Sequence, residues 1–457
     1  MRNIPLLLCD VLPVSIKQCS NLQYIMLNSN QLQGDMMLDY FSNNKNIRAL
    51  HLDHNNLTGT IPAEFTTWVY DHRPVFNITY NCLSGSLPLE LISNPDWPRA
   101  EACIIPQNEG YNLEVPILYE STDYSEDGKV VVLQKATEGN GINVAIVGDG
   151  FADVDFTSGH FDNVMHKTME GLFRLEPMKS FRHLFNVYAV KAVSKHNVFL
   201  DGCETALEGK YGNSDSPGYA RAECNPEILR NKYINKIPAF NPDEDICFVI
   251  LNAYTPNASA SYCRYPQGFS YSISGLGSYT PASNNLHGFE NKICRGFGCT
   301  FGHLGSEEWN SFGGAATDAT KEVILNYQAN GWYMNLSVDP ENVPWKKFLT
   351  DERYANEDVG IYEGGYYCAF GIYRSSNTSI MRMTNIDEVT FNVPSREAIY
   401  KRMMQQAYGD SWQYDYEKFV EYDAINRNST PQLLRSTADA PKEDRLQYYP
   451  MVIIHEQ

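Results

Sequence analysis

Between Ile293 and Trp309 the chain reads ICRGFGCTFGHLGSEEW, a stretch dense in side chains that bind metals or attack carbonyls. Cys294 and Cys299 offer thiols, His303 an imidazole and Glu307 a carboxylate, all of them donors that zinc accepts. Their spacing decides what they can share. Cys294 and Cys299 are five positions apart, about 140° around a helix, and point to different faces. A zinc or a disulfide between them would need the helix broken. Cys299 and His303 are four apart and can share a face. With Glu307 adding an oxygen, Cys299, His303 and Glu307 make one conceivable ligand set. Arg295 weighs against any metal here, because its guanidinium stays charged at every working pH and repels a dication. That charge is expected to pair with a nearby acid. A thiolate at Cys299 beside Arg295 would be a nucleophile; the plainer reading of both cysteines is small buried apolar side chains. No Gly-x-Ser-x-Gly elbow occurs. Gly148-Asp149-Gly150 lacks the glycines and the Lys-Ser/Thr pair of a nucleotide loop.

The elements that must position these residues read as α/β. Gly141 to Gly150 is a buried strand ending in a Gly-rich turn. Phe185 to Val193 and Ile246 to Asn252 are two more strands. Phe161, Val164, Met165, Met169, Leu172 and Phe173 fall at helical spacing between the first two. Strands alternating with helices predict a mixed sheet with helices packed on it. Pro394-Ser395-Arg396-Glu397 opens a helix with Ser395 as its N-cap and Gly409 as its stop. Ile399, Met403 and Ala407 give that helix an apolar face. Residues 427–445 read as a loose polar tail.

Ahead of this lies an internal repeat. Leu27-Asn28-Ser29-Asn30-Gln31-Leu32-Gln33-Gly34 recurs as Leu52-Asp53-His54-Asn55-Asn56-Leu57-Thr58-Gly59 and as Ile78-Thr79-Tyr80-Asn81-Cys82-Leu83-Ser84-Gly85. The stretch resembles the leucine-rich repeat, in the variant continuing Gly59-Thr60-Ile61-Pro62 and Gly85-Ser86-Leu87-Pro88. Each Leu is expected to point inward and each Asn to bond the backbone of its turn. Such units need neighbours to bury their faces, and Met1 falls inside what reads as an earlier repeat, so the start reads as truncated. A leucine-rich array implies protein or glycan binding on its concave face. Residues 96–116, broken by Pro98 and Pro106, read as cap and linker.

Composition narrows the partners. A net charge of −19 opposes nucleic acid and anionic lipid. No apolar run is long enough to span a membrane. The start, MRNIPLLLCDVLP, is too short for a secretory apolar core, and Leu8 is the wrong residue before a lipidated Cys9. The eleven cysteines contain no CxxC pair and read as mostly buried thiols with one or two bridges.

Several segments carry a more specific resemblance. They are Tyr119-Glu120-Ser121-Thr122-Asp123-Tyr124-Ser125-Glu126-Asp127-Gly128, the strand and turn from Val144 to Gly150, and Ser180-Phe181-Arg182 to Val193. Further on come Gly360-Ile361-Tyr362-Glu363-Gly364-Gly365, Ser379-Ile380-Met381-Arg382 and Phe391-Asn392-Val393-Pro394-Ser395-Arg396-Glu397. Through them residues 117–426 resemble the immunoglobulin-A peptidase family, family 64 of the metallopeptidases, found in gut Bacteroidetes. The resemblance implies a metzincin-like domain: an HExxHxxG helix with two His ligands and a Glu general base, a turning Gly, a third ligand, and a Met-containing turn below the zinc. Here Cys299 stands at the second His, three residues before Gly302. Arg295 or Cys294 stands at the first, and Gly296 or Arg295 at the Glu. Ser306-Glu307 stands where a carboxylate pair follows the Gly, and Ser379 and Met381 belong to the Met-turn. No register supplies His, Glu and His together.

The resulting expectation is an α/β, metzincin-like zinc-peptidase domain over residues 117–426, behind leucine-rich repeats over 1–95 and ahead of a tail over 427–457. Catalysis is expected to be lost and function to lie in binding a protein or glycoprotein, outside the cytoplasm by family resemblance. No cofactor is expected. The alternative is an active zinc peptidase using the non-standard ligand set.

Overall fold

The computed structural model describes residues 11, 16, 18–19, 21–35, 47–61, 65, 75–87, 104, 107–111, 113–114, 119–199, 203–213, 220–253, 259–265, 268–276, 287–309, 313–383, 389–429 and 451–456. The chain forms two compact units, one ending at Leu118 and the other beginning at Tyr119. The Leu6 to Cys9 start, Pro62, Pro88, the prolines from Pro95 to Pro106, and the 430–445 part of the expected tail lie outside the described residues.

In the first unit, Tyr24–Met26, Ala49–His51 and Val75–Asn77 form one parallel sheet, and Gln33–Asp35, Asn56–Gly59 and Cys82–Leu83 a second. Ile25, Leu50 and Phe76 stand opposite one another and are buried. The asparagines tie successive turns together. Asn55 Nδ2 donates to the carbonyls of Leu52 and Leu27, both at 2.9 Å, and its Oδ1 accepts from Leu32 N at 3.0 Å. Asn81 repeats the pattern on Ile78, Leu52 and Leu57. Gln107 repeats it again, donating to Ile78 O (3.2 Å) and accepting from Leu83 N (3.2 Å). That further turn lies within residues read from sequence as cap and linker. A glutamine in place of the asparagine hid it.

The second unit is built on a seven-stranded mixed sheet. Its strands are β1 (Val130–Gln134), β2 (Ile142–Asp149), β3 (Phe185–Val190), β4 (Ile246–Leu251), β5 (Ser259–Tyr265), β6 (Tyr271–Gly275) and β7 (Met451–Glu456). The order across the sheet is β7-β5-β6-β4-β2-β3-β1. β3, β2, β4 and β6 run parallel, β1 and β5 antiparallel to their neighbours. The central strands are apolar on both sides because both are covered. Ile142, Val144 and Ile146 of β2 enter one core, while Ala145 and Val147 enter another. β4 divides likewise into Ile246, Phe248, Ile250 and Cys247, Val249, Leu251.

Helices α1 (His160–Leu172) and α2 (Gly288–Thr300) pack into the first core. α3 (Asp318–Gln328) follows, then a small sheet of Leu336–Ser337, Cys368–Arg374 and Tyr362–Gly365, then α4 (Val393–Tyr408) and α5 (Tyr416–Ser429). The cap of α4 is Asn392, not Ser395: Asn392 Oδ1 accepts from Ser395 N at 3.2 Å, and Pro394 occupies the first turn where its missing N–H costs nothing. Gly409 ends that helix, with φ +59°. α5 reaches Ser429, inside the stretch expected to be a tail. Among the described residues no helix is long and apolar enough to cross a membrane. Cys224, Cys247, Cys294 and Cys299 are buried thiols, and Cys19, Cys82, Cys203 and Cys368 are thiols that are exposed or half-buried, so fewer of them are buried than expected.

Candidate functional site

α2 has no solvent face. Every residue from Ile293 to Thr300 is buried, the charged Arg295 included, at 0% exposure. Three glycines make this possible. A Cβ on Gly296 would lie 2.3 Å from Ser272 Oγ, and one on Gly298 would lie 2.8 Å from Phe391 Cε1 and 2.9 Å from Met381 Sδ. One on Gly302, past the helix end, would lie 2.8 Å from the Gly298 carbonyl and from Ile399 Cγ1. The residue that turns the chain there is His303, with φ +50°, rather than Gly302. Gly302 serves close approach instead.

A guanidinium buried this deeply needs an acid and acceptors. Arg295 Nη1 donates to the carbonyls of Ile380 (3.2 Å) and Met381 (2.6 Å). Its Nη2 donates to Ser306 Oγ (3.2 Å) and to the Glu308 carboxylate, with which it forms a buried ion pair. Burial raises the Glu308 carboxyl above the ordinary range, and the Arg295 charge opposes that rise. Glu308 is the partner that sequence reasoning missed. The signal was available, since a buried arginine must find an acid and Glu307-Glu308 is the nearest acidic pair.

The neighbouring groups are equally committed. The Glu307 carboxylate accepts from Asn335 Nδ2 (2.8 Å), from Asn392 Nδ2 (2.8 and 3.0 Å) and from Ser379 Oγ. Met381, completely buried, lies under α2 against Gly298, and its carbonyl also accepts from Glu307 N at 3.1 Å. Ser379 and Met381 belong to a tight turn closed by Arg382 N and Met383 N, both donating to Ser379 O. Above the ion pair, the hairpin joining Tyr362–Gly365 to Cys368–Arg374 turns at Tyr366 and Tyr367, with φ +49° and +64°. Their N–H groups donate to the carbonyls of Ser306 (3.0 Å) and Glu308 (2.7 Å). Tyr367 keeps 38% of its surface exposed, while desolvation and the adjacent Glu308 charge raise its phenol well above the ordinary tyrosine range.

The remaining sequence candidates are not brought together. Cys294 faces α1, its Sγ 3.1 Å from the Gly171 carbonyl, and burial pushes its thiol up to about 12. Burial pushes Cys299 up to about 11, outweighing the opposing pull of Arg295. Both cysteines are buried, as the plainer reading of them expected. His303 stacks on Trp332 with ring centroids 3.6 Å apart and accepts from Arg402 Nη1 at its Nδ1 (3.3 Å). Burial first, and the Arg402 charge second, hold its imidazole well below the usual range. Among the described residues no three His, Cys, Asp or Glu side chains are grouped to hold a metal. Cys299, His303 and Glu307 are thus not a ligand set in this structure: Glu307 is spent on two amides and a hydroxyl, His303 on Trp332 and Arg402.

Residues 131–219 match the model of the IgA peptidase M64 family. No curated protein matches the chain. The resemblance read from sequence over 117–426 is supported over that matched part, which covers β1 to β3 and α1 and ends before α2. For the zinc that the metzincin-like resemblance implies, the donor set does not fit. α2 contains no histidine, Arg295 brings a fixed positive charge to the place the resemblance gives to the zinc, and the Glu307 and Glu308 carboxylates are already engaged by protein donors.

Proposed function

We propose that the chain is an IgA peptidase M64 relative that has given up metal chemistry and works by binding a protein or glycoprotein, secreted or at the cell surface. The observation that carries the reading is the buried Arg295–Glu308 pair at the place the family resemblance gives to the zinc and its general base. A metal exerts its effect through its charge on water and carbonyl oxygen; here that position holds a cation whose Nη1 and Nη2 are already bonded to Glu308, Ser306 and two backbone carbonyls. The Tyr366–Tyr367 turn bonded over Ser306 and Glu308 supports the same reading, since a closed locus admits no peptide.

In this reading the first unit is a leucine-rich-repeat solenoid. Its support is the parallel register of Ile25, Leu50 and Phe76 and the amide bonding of Asn55, Asn81 and Gln107. Tyr24, Met26 and Val75 flank the buried residues of the first sheet with exposures of 61, 57 and 66%, an apolar face of the kind partners cover.

The test is zinc content of the purified full chain by mass spectrometry, before and after incubation with excess zinc. Far less than one zinc per chain is expected in both samples. About one zinc per chain, abolished by Cys299→Ala, would overturn the reading and make an active peptidase with unusual ligands the better account.

A further inference from the structure

β2 lies between β3 and β4, both parallel to it, so the chain leaves β2 for one side of the sheet and later returns on the other. Open α/β sheets take ligands in the crevice outside the carboxyl ends of the strands at such a reversal. A broad, open pocket of about 580 Å³ lies there, beside the residues that follow β3 and far along the chain from α2. It falls inside the roughly 300–1,000 Å³ range of small-ligand sites.

The walls are built with some care. Asp149, the last residue of β2, accepts from Thr205 Oγ1 and Leu207 N, both at 3.0 Å, and so fixes the 204–208 wall. Asn225 joins that wall to the opposite one: its Nδ2 donates to Glu208 at 2.8 Å, and its Oδ1 accepts from Glu227 N at 3.1 Å. Glu208 holds φ at +51°, left-handed backbone that costs a non-glycine residue strain. The opposite wall continues into a π-helical turn, Leu229–Tyr233, a geometry that concentrates at functional sites.

The charges in the cavity are asymmetric. Lys195 is paired with Glu204, and Lys232 with Asp127 at 2.9 Å. Glu208 and Glu227 have amide partners only, Asn225 and Asn231, and no cation among the described residues. Val193, Ala206 and Ile228 supply apolar lining, and Tyr124 adds an aromatic ring that is 48% exposed. An anionic ligand would compete for both lysines with the carboxylates that already hold them and would be repelled by Glu208 and Glu227. A neutral one gains nothing from the two acids. A cation on an alkyl stem meets the acids with its head, the apolar lining with its stem and the tyrosine with its charge.

We infer that this cavity binds the guanidinium or ammonium group of an arginine or lysine side chain presented by a protein partner. This goes beyond the reading given above and holds whatever chemistry the α2 locus performs.

The test is calorimetric titration of the full chain with Nα-acetyl-arginine methylamide, and with the norleucine and glutamate analogues. Saturable binding of the arginine probe alone is expected, weakening as salt is raised. The Glu208→Gln/Glu227→Gln chain should bind it about tenfold more weakly, with an unchanged melting temperature because both acids are exposed. Glu322→Gln/Glu352→Gln removes the same net charge elsewhere and should bind as the parent does. No saturable arginine binding, equal binding of norleucine, or equal weakening by the two double variants would each overturn the inference.

Discussion

Arg295 carries its charge wholly inside the protein, and the consequence is thermodynamic before it is functional. Two charges removed from water recover their hydration only when each is fully met, and breaking such a pair strands the survivor. Arg295→Met leaves the Glu308 carboxylate without its cation, and is expected to lower unfolding free energy by about 3–5 kcal/mol in denaturant titration. Arg295→Met with Glu308→Leu removes both charges at similar volume and should recover most of that loss. If the double variant is no more stable than the single, the bonds to Ile380, Met381 and Ser306 matter more than the ion pair.

At the level of the element, α2 is a helix chosen for thinness. An interior Gly→Ala change ordinarily stabilises a helix by about 0.5–1 kcal/mol. At Gly298 the new methyl would meet Phe391 and Met381 at under 3 Å, and overpacking a tight core costs about 1–3 kcal/mol. Overpacking wins, so Gly298→Ala is expected to lower the denaturation midpoint, and a rise would mean that Met381 swings aside freely. Much of this architecture was legible in sequence. The strands at 142–149, 185–190 and 246–251 announced themselves by unbroken apolar runs, and α1 by its period. The tight turn at Ser379 and Met381 was legible by its motif. Three details escaped notice. Asn392 displaces Ser395 as a cap only because the chain enters α4 one turn earlier than the proline suggested. His303 takes the left-handed turn because Gly302 is pressed between Ile399 and the Gly298 carbonyl. The Tyr366–Tyr367 turn had no glycine to betray its positive φ.

For the whole molecule, Asp149 links folding to pH. It is completely buried, and desolvation lifts its carboxyl from 3.8 to about 6 despite bonds from Leu207, Thr205, Gly150 and Ser194. Between those two values the folded chain keeps a proton that the unfolded chain has released. The contribution therefore favours folding at the acid end and is lost as pH rises through about 6. A shift of this size corresponds to about 3 kcal/mol. From pH 4 to pH 7 the parent chain should lose roughly that much more stability than Asp149→Asn, which is neutral throughout. Parallel stability curves would show that the surrounding donors keep the carboxylate ionised.

The four buried thiols give the proposed location outside the cytoplasm a particular cost and a particular safeguard. A secreted chain meets oxidants, and it is the thiolate that reacts. With Cys299 buried and pushed up to about 11, only about one molecule in ten thousand carries a thiolate there at neutral pH. Cys294 is held still higher, and Cys224 and Cys247 are also raised by burial. Close packing around α2 and the central strands thus shields these four, while Cys19 is exposed and Cys82, Cys203 and Cys368 are half-buried; oxidation of the buried four becomes a clock that starts when that packing opens.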